Sequence, residues 1–499
     1  MPQPPALLLR GARIVALDTP APTEPFDVRI EAGRVAEIGP RLAASGERVI
    51  EADGAWLIPG LWDHHVHMAQ WAETRARLDL AGTASAQEVC RRVAAALRAT
   101  DAPALVGFGY RPATWPQPPR VADLDAAGDG RPVVLISGDA HAGWLNSAAQ
   151  RFFGVPPREE PLDEAAWFAI WSRLGELPRD LGGEAAAYGE AVRAAAALGV
   201  VGITDLEMAR GWADWPERFA AGIDQLRVRA ATYPDTLEEV ITAGLRTGDV
   251  LGGTGGQAAM GPLKVITDGS LNTRTAFCHT AYADSRAHYG TLNITGAALA
   301  ELMTRASAHG LEVTAHAIGD AALTSALDAF TASGATGSIE HAQLVAFEDL
   351  PRMAALGLAA CVQPAHAWDD RDVTQLVWPD RADRCFAFRT MADLGIRLRL
   401  SSDAPVSPLD PWLAMAAAVH RSGDEREPWN PAESLTAREA LAASTDGVGT
   451  VDVGAVADLV LLDTNPLAPQ SDSRATSKHL RDIHPLLTVL GGRITHENL

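Results

Sequence analysis

The feature that most constrains this chain is the regular alternation, through its middle, of short apolar runs with alanine-rich stretches. The runs have the length of buried β-strands, and intervening stretches such as EAAAYGEAVRAAAALG are typical of helices. This alternation predicts a parallel α/β architecture, and eight strand candidates are the number that closes a (β/α)8 barrel. The eight candidates are residues 56–67, 200–207, 226–233, 262–268, 311–317, 337–343, 358–364 and 396–405.

Two further apolar runs lie between the first and second barrel strands. They span residues 104–109 and 132–141. Because the eight barrel positions are already filled, we expect these runs to belong to an insertion at about 100–150, beside the mouth of the active site. A chain of 499 residues with 47% hydrophobic content can bury a large domain and a smaller one.

The two ends of the chain show the alternation typical of short strands. LLLRGARIVAL and DVRIEAGRVAEIG open the sequence, with Glu31-Ala32-Gly33 placed as a hairpin loop, and GTVDVGAVADLVLLD and LTVLGGRI close it. Neither end has enough strands to bury a face alone. We therefore expect segments 1–58 and 446–499 to form one small β-sandwich, with the barrel at 59–445.

Composition points to a small-molecule role in the cytoplasm. The formal charge of −21 opposes binding to nucleic acid or to anionic lipid. The apolar run at residues 6–9 is followed by Arg10 and Arg13 and is too short for a signal peptide or a membrane span. The four cysteines form no CxxC pair, which favours reduced thiols. These patterns leave the oligomeric state open, a homodimer included.

Metal-ligating side chains cluster at the carboxyl ends of the predicted strands, where active sites of such barrels lie. His65 and His67 close the first strand, His316 the fifth, His341 the sixth and Asp403 the eighth. A single His-x-His is common by chance, but the shared position of all five residues is hard to explain as ordinary core or surface histidines.

The spacing of the first pair has a structural meaning. Residues i and i+2 of a strand point to the same side, so His65 and His67 can hold one ion. The same alternation predicts that His64 faces away from the site, which makes it a natural negative control.

These ligand positions resemble the pattern of the amidohydrolase superfamily, which has an HxH on strand one, a lysine on strand four, histidines on strands five and six, and an aspartate on strand eight. Within it, nearly the whole chain is similar to the branch of N-substituted formamide deformylase and the YtcJ-type proteins. The stretches that carry this similarity are PGLWDHHVHM, DAHAGWLNSAA, GVVGITDLE, LKVITDGSLNTRTA, TAHAIGDAA, IEHAQLV, SSDAPVSPLDPW and VGAVADLVLLD.

Two motifs depart from the usual pattern of that branch. AHAGW at residues 140–144 replaces GHSAW, and DGSLNTRTA replaces DGSLGSRTA, with Asn272 and Thr273. These changes lie where substrate is expected to bind, so they put the substrate in doubt more than the reaction.

The resemblance implies a set of metal ligands. His65, His67 and Asp403 hold one divalent ion and His316 and His341 a second, with Lys264 of strand four as the bridge. An ammonium beside two cations would be repelled, whereas a carboxylated lysine is an anion that can bridge them. The alternative is an unmodified Lys264 paired with a neighbour such as Asp268, and hence a single metal. Zinc suits imidazole ligands, although iron, manganese or cobalt would accept the same set.

The implied reaction is hydrolysis by a metal-activated hydroxide of a C–N bond, amide or formamide-like, in a small molecule, with Asp403 as the catalytic proton carrier. Deaminase relatives usually lack the lysine, so Lys264 favours hydrolysis of an amide, formamide, urea or carbamate-like bond over deamination. A metal-dependent esterase, lactonase or deaminase remains the alternative enzyme, and a catalytically silent ligand-binding relative is the alternative outside enzymes. The expected substrate-binding residues are His141, Trp144, Asn146, Asp268, Ser270, Arg274, Gln363 and His366.

Overall fold

The computed structural model describes residues 5–18, 24–110, 112, 115–137, 142–171, 173–177, 181–285 and 287–499. The chain separates into two compact units. One is formed by Met1–Met68 together with Val192–Leu499, and the other by Ala69–Ala191. The first unit contains the barrel and the terminal β domain, and the second is the insertion.

Eight parallel strands form the barrel, as the sequence predicts. Each strand pairs with its neighbour in chain order, from the first to the eighth. Most of their side chains are buried. In chain order, the strands are Leu61–Val66, Val200–Asp205, Arg227–Thr232, Ala258–Ile266, Val313–Ala317, Gly337–His341, Ala359–Val362 and Leu398–Leu400.

The barrel closes between its first strand and the segment that follows its eighth. The amide of Asp403 donates to the carbonyl of His65 at 2.8 Å, and the amide of His67 donates to the carbonyl of Ala404 at 2.8 Å. A parallel bridge between Val66 and Ala404 lies between them. The closing hydrogen bonds therefore fix three of the predicted metal ligands relative to one another.

Helices connect the strands, and several begin at residues that the sequence marks as caps. The side chain of Asp410 accepts from the first turn of the helix that it precedes, and Thr436 with Glu439 forms a capping box. In the first unit the helices are Gly211–Ala220, Leu237–Thr242, Gly296–Ala308, Asp320–Ser333, Leu350–Ala355, His366–Asp369, Arg371–Val377, Phe388–Asp393, Pro411–Val419, Ala437–Ala442 and Ser473–Arg481.

Both ends of the chain contribute to one β domain, as predicted. Its strands share a hydrophobic core that includes Leu9, Val28, Leu57 and Leu461. A two-residue turn at Ala32 and Gly33, both with positive φ, joins the first hairpin. The strands are Leu7–Ile14, Phe26–Glu31, Arg34–Gly39, Arg48–Glu51, Trp56–Pro59, Leu459–Leu462, Pro485–Leu490 and Arg493–Glu497.

The insertion is longer than the predicted 100–150 and has its own sheet and its own hydrophobic clusters. Its two central strands are the apolar runs that the sequence singles out. The strands are Leu78–Asp79, Leu105–Tyr110, Val133–Ser137, Ala142–Leu145 and Leu162–Asp163. The helices are Met68–Ala76, Ala86–Ala99, Val121–Ala127, Ser147–Phe153, Glu164–Trp171 and Leu181–Ala197, the last of which continues into the first unit.

The cysteines are unpaired thiols, as the sequence predicts. Cys278, Cys361 and Cys385 are buried and Cys90 is partly buried, and none forms a disulfide. The fold is therefore held by packing and hydrogen bonds. Within the described residues, none of the helices combines the length and the apolar character needed to cross a bilayer.

Candidate metal centre

Three of the predicted ligands converge at the point where the barrel closes. Nε2 of His65 lies 3.2 Å from Oδ1 of Asp403, and Nε2 of His67 lies 3.3 Å from the same oxygen. One ligand atom from each of the three residues falls within a group whose members are all within 4.8 Å of one another. The arrangement provides two imidazole nitrogens and a carboxylate that can bind one divalent ion.

Two ligand positions have left-handed backbone conformations. The φ angle is 56° at Asp403 and 68° at His341. Such values are unfavourable for residues with a Cβ and occur at functional sites where the surrounding structure holds them in place. At His341 the turn ends the strand alternation, so Glu340 and His341 both reach the site although they are adjacent in sequence.

A second group of donors lies beside the first. His341, His366 and Asp403 each place a ligand atom within 4.8 Å of the others. The rings of His316 and His341 have centroids 4.6 Å apart, and those of His341 and His366 are stacked at 6.2 Å. The structure thus brings His366, predicted from the sequence as a substrate contact, among the histidines that can hold a second ion.

Asp268, which the sequence predicts as a substrate contact, is hydrogen-bonded within the barrel instead. Its side chain is fully buried, and Oδ1 accepts from Nδ1 of His316 at 2.9 Å and from the amide of Ile318 at 3.1 Å. Oδ2 accepts from the amides of Phe277 and Gly319, each at 2.9 Å. With both oxygens occupied, Asp268 fixes the ring of His316 and is not available to bind substrate.

Glu340 is a functional residue that the sequence reasoning missed. Its Oε2 lies 2.7 Å from Nδ1 of His65, and Oε1 accepts from Ser338 at 2.9 Å and also from Thr314. Burial acts to raise the pKa of Glu340, but the contact with His65 outweighs it and the pKa is lowered. An acidic residue inside an otherwise buried strand, directly before a predicted ligand, was the available signal.

Burial and charge set the protonation of the ligands. Burial lowers the pKa of His65 to about 4, so the ring is neutral at physiological pH, and burial beside His316 lowers the pKa of His341. Burial opposes ionisation of Asp403, but His65 and His67 outweigh it and hold its pKa well below the usual range. Neutral His65 and His341 with ionised Asp403 are the forms that bind a metal, whereas at His67 the contact with Asp403 outweighs burial and raises the pKa of the ring.

Lys264 lies on the fourth strand within the same buried region. Its Nζ has no hydrogen-bond partner among the described residues, and burial lowers the pKa of the amine, although the carboxylates of Glu340 and Asp403 act in the opposite direction. The described part of the chain has no ion pair between Lys264 and Asp268, whose oxygens are occupied by other donors. The alternative role of Lys264 as the partner of Asp268 is therefore not what the structure shows.

His64 does not join the ligands, but it does not face away from the barrel interior either. The pairing of the first strand with the second is irregular, and this allows the rings of both His64 and His65 to be buried in the barrel. His64 stacks on Trp62 and lies 4.0 Å from Oδ1 of Asp446. It borders a cavity closer to the amino ends of the strands.

The predicted contacts in the insertion serve its own packing. Trp144 is fully buried in an apolar cluster, and its indole N–H donates to the carbonyl of Arg120 at 3.1 Å. The side chain of Asn146 caps the helix Ser147–Phe153 and accepts from the amide of Val133. His141 lies outside the described residues. Substrate binding by these side chains stays a prediction.

The remaining predicted contacts lie on two loops of the barrel. The hydroxyls of Ser270 and Thr273 are hydrogen-bonded at 2.8 Å, and Nε of Arg274 donates to Asp284 at 2.6 Å, an ion pair that fixes the loop. Nε2 of Gln363 is 3.4 Å from Nδ1 of His65. Gln363 is therefore close to the ligands, and Arg274 is engaged within its loop.

The residues present fit a divalent metal. Buried polar atoms normally have partners, yet Nδ1 of His67, Nδ1 of His341 and Nζ of Lys264 have none among the described residues. The carboxylates Glu340 and Asp268 hold Nδ1 of His65 and of His316, as carboxylates commonly do behind metal-bound histidines. Unpartnered buried nitrogens beside imidazoles that carboxylates hold in place fit a metal centre.

A parallel barrel with histidines and an aspartate at its strand ends defines a metal-dependent hydrolase. Residues 48–496 match the model of the amidohydrolase family, and the chain belongs to that family. It is 26% identical to the YtcJ protein of Bacillus subtilis over 90% of each chain. It is 25% identical to N-substituted formamide deformylase of Arthrobacter pascens over 94% of each chain.

A solved structure agrees with this assignment. The chain superimposes on an uncharacterized metal-dependent hydrolase from Pyrococcus furiosus with a TM-score of 0.77 and 25% identity. The match covers 93% of this chain and 100% of that one. The resemblance predicted from sequence motifs, to YtcJ and the formamide deformylase, is therefore confirmed.

Proposed function

We propose that the chain hydrolyses a C–N bond, amide or formamide-like, in a small molecule. The observation that carries the proposal is the convergence of His65 and His67 on one oxygen of a buried, ionised Asp403. A relative of similar length along the whole chain is N-substituted formamide deformylase, whose name specifies a formamide substrate. That similarity supports the choice of bond over the ester alternative.

His65, His67 and Asp403 would hold one ion, and His316, His341 and His366 offer ligands for a second. A divalent metal bound there lowers the pKa of water and polarises a carbonyl group, so hydrolysis needs no serine or cysteine nucleophile. Zinc is the proposed metal. Glu340 and Asp268 keep two of these rings in the orientation that presents Nε2 to the site.

Asp403 would carry the proton of the reaction. Its Oδ1 faces two histidines, and its low pKa keeps the carboxylate ionised at neutral pH, ready to accept a proton from the attacking water. The same carboxyl group then delivers that proton to the leaving nitrogen. Protonation of this nitrogen matters because an amide anion is a poor leaving group.

Lys264 would be carboxylated and would bridge two ions. The amine is buried, unpartnered and shifted toward the neutral form, which is the form that reacts with carbon dioxide. Addition of carbon dioxide and loss of one proton from nitrogen gives an anionic carbamate. An anion at this position balances cations better than an ammonium group does.

The proposal is tested with zinc-loaded enzyme and matched substrate pairs. N-benzylformamide is compared with benzyl formate, and N-acyl amides with the corresponding esters, by following amine or alcohol release. We expect turnover of the nitrogen compounds that chelation stops and zinc restores. Hydrolysis of esters alone would contradict the C–N assignment and leave the metal-dependent hydrolase in place.

A further inference from the structure

A polar cavity lies inside the barrel, on the side of the metal centre nearest the amino ends of the strands. Its volume is about 330 Å³, and its walls come from residues that precede the metal ligands on their strands. The interior of such barrels is normally filled with bulky branched apolar side chains. The cavity is lined instead by polar side chains such as His64, Thr204, Arg229, Ser338 and Arg399.

Two of the lining groups offer hydrogen-bond donors that no acceptor takes. The guanidinium of Arg399 forms no hydrogen bond or ion pair with any described residue, while the backbone of Arg399 pairs with Cys361 in the sheet. His64 is 3% exposed, and both of its ring nitrogens lack hydrogen-bond partners within the described chain. Its distance of 4.0 Å to Asp446 is too long for a hydrogen bond.

The described carboxylates around the cavity do not form ion pairs with Arg399. Asp446 accepts two hydrogen bonds from Arg229, at 2.9 and 2.6 Å. Glu340 also lines the cavity, and its Oε2 lies 2.7 Å from Nδ1 of His65. Glu312 is exposed and forms no ion pair with Arg399 among the described residues. Among the described residues, no carboxylate therefore lies within ion-pair distance of the Arg399 guanidinium, and Asp446 acts on it only at longer range.

We propose that this cavity binds a small monovalent anion, of the size of a halide or formate, through the guanidinium of Arg399 and a ring N–H of His64. A guanidinium presents paired donors that match a halide or a carboxylate. The volume accommodates such an anion together with water. The site is separate from the metal centre, because its ligands are none of the metal ligands.

Bromide identifies the site directly. Crystals of the full-length, zinc-loaded protein, grown without chloride and soaked in sodium bromide, are measured at the bromine absorption edge. We expect an anomalous peak in contact with the Arg399 side chain. Arg399→Gln should lose the peak, and Arg397→Gln, which removes an exposed charge next to the same strand, should keep it.

Formate titrations provide the matching solution measurement. Calorimetry with wild-type protein should show a formate-binding component that Arg399→Gln weakens by about tenfold or more, since charge-assisted hydrogen bonds are lost. Formate bound at the metal centre would persist in that variant and in Arg397→Gln. If Arg399→Gln does not fold, the wild-type bromide map decides alone. Water as the only content of the cavity, or a peak unchanged in Arg399→Gln, overturns the proposal.

Discussion

Asp268→Asn is predicted to destabilise the barrel strongly, although it changes only one atom. Four hydrogen bonds reach the two oxygens of this fully buried side chain, two at each oxygen. An asparagine amide nitrogen cannot accept a hydrogen bond. Whichever way the new side chain turns, two donors therefore lose their acceptor and face an N–H group instead.

The magnitude follows from these contacts. A hydrogen bond to a charged group contributes about 1.5–3 kcal/mol, and buried donors left without partners cost a similar amount. Loss of two such bonds therefore lowers the free energy of unfolding by roughly 3–6 kcal/mol, a large part of the ~5–15 kcal/mol typical of folded proteins. The His316 ring also loses its fixed tautomer, for which a ~10–100-fold loss of metal affinity is expected.

Denaturant unfolding followed by tryptophan fluorescence measures the effect, and the midpoints of the barrel transition are compared between variants. Asp284→Asn is the matched control on the same segment, because it breaks only the half-exposed ion pair with Arg274. Exposed pairs contribute about 0–1 kcal/mol. Equal midpoints for Asp268→Asn and Asp284→Asn, together with a selective loss of turnover, would refute the positioning role and restore the substrate contact expected from sequence.

Three further predictions concern the metal centre. His65→Ala or His67→Ala abolishes metal-dependent turnover, whereas His64→Ala keeps most of it, because only His65 and His67 reach Asp403. Equal losses of turnover in steady-state assays of all three variants would contradict this ligand set. Asp403→Asn keeps much of its metal by elemental analysis but loses rate by ~100-fold or more, and a near-normal rate would exclude the proton-carrying role. Lys264→Ala loses one metal and most activity, and acetate or formate partly restores both; unchanged metal content and rate would make Lys264 purely structural.

The fold and the first metal ligands were within reach of sequence reasoning. The eight apolar runs occur in the order in which the strands pair, and the alternation rule correctly groups His65 with His67. Parallel strands bring their carboxyl ends to one edge, so residues far apart in the chain, such as His341 and Asp403, were expected to meet.

Features that depend on local irregularity were not predictable in this way. His64 and His65 are both buried in the barrel because the first strand pairs irregularly with the second, and Glu340 joins His341 because the backbone turns left-handed between them. Asp268 occupies the strand-four loop where substrate contacts are common, yet its oxygens accept from the backbone amides of Ile318 and Gly319, which are distant in sequence. Tertiary hydrogen bonds of this kind leave no periodic pattern in the chain.

The measurement that tests the central claim most directly is metal content determined together with activity. The purified protein and the double variant His65→Ala, His67→Ala are analysed for divalent metals, and the rate on a responsive substrate is recorded before chelation, after it and after readdition of zinc. The account predicts one or two ions per wild-type chain, loss of turnover with the metal, recovery with zinc, and neither metal at this position nor activity in the double variant. Full turnover by protein stripped of metal, or by the double variant, would contradict it.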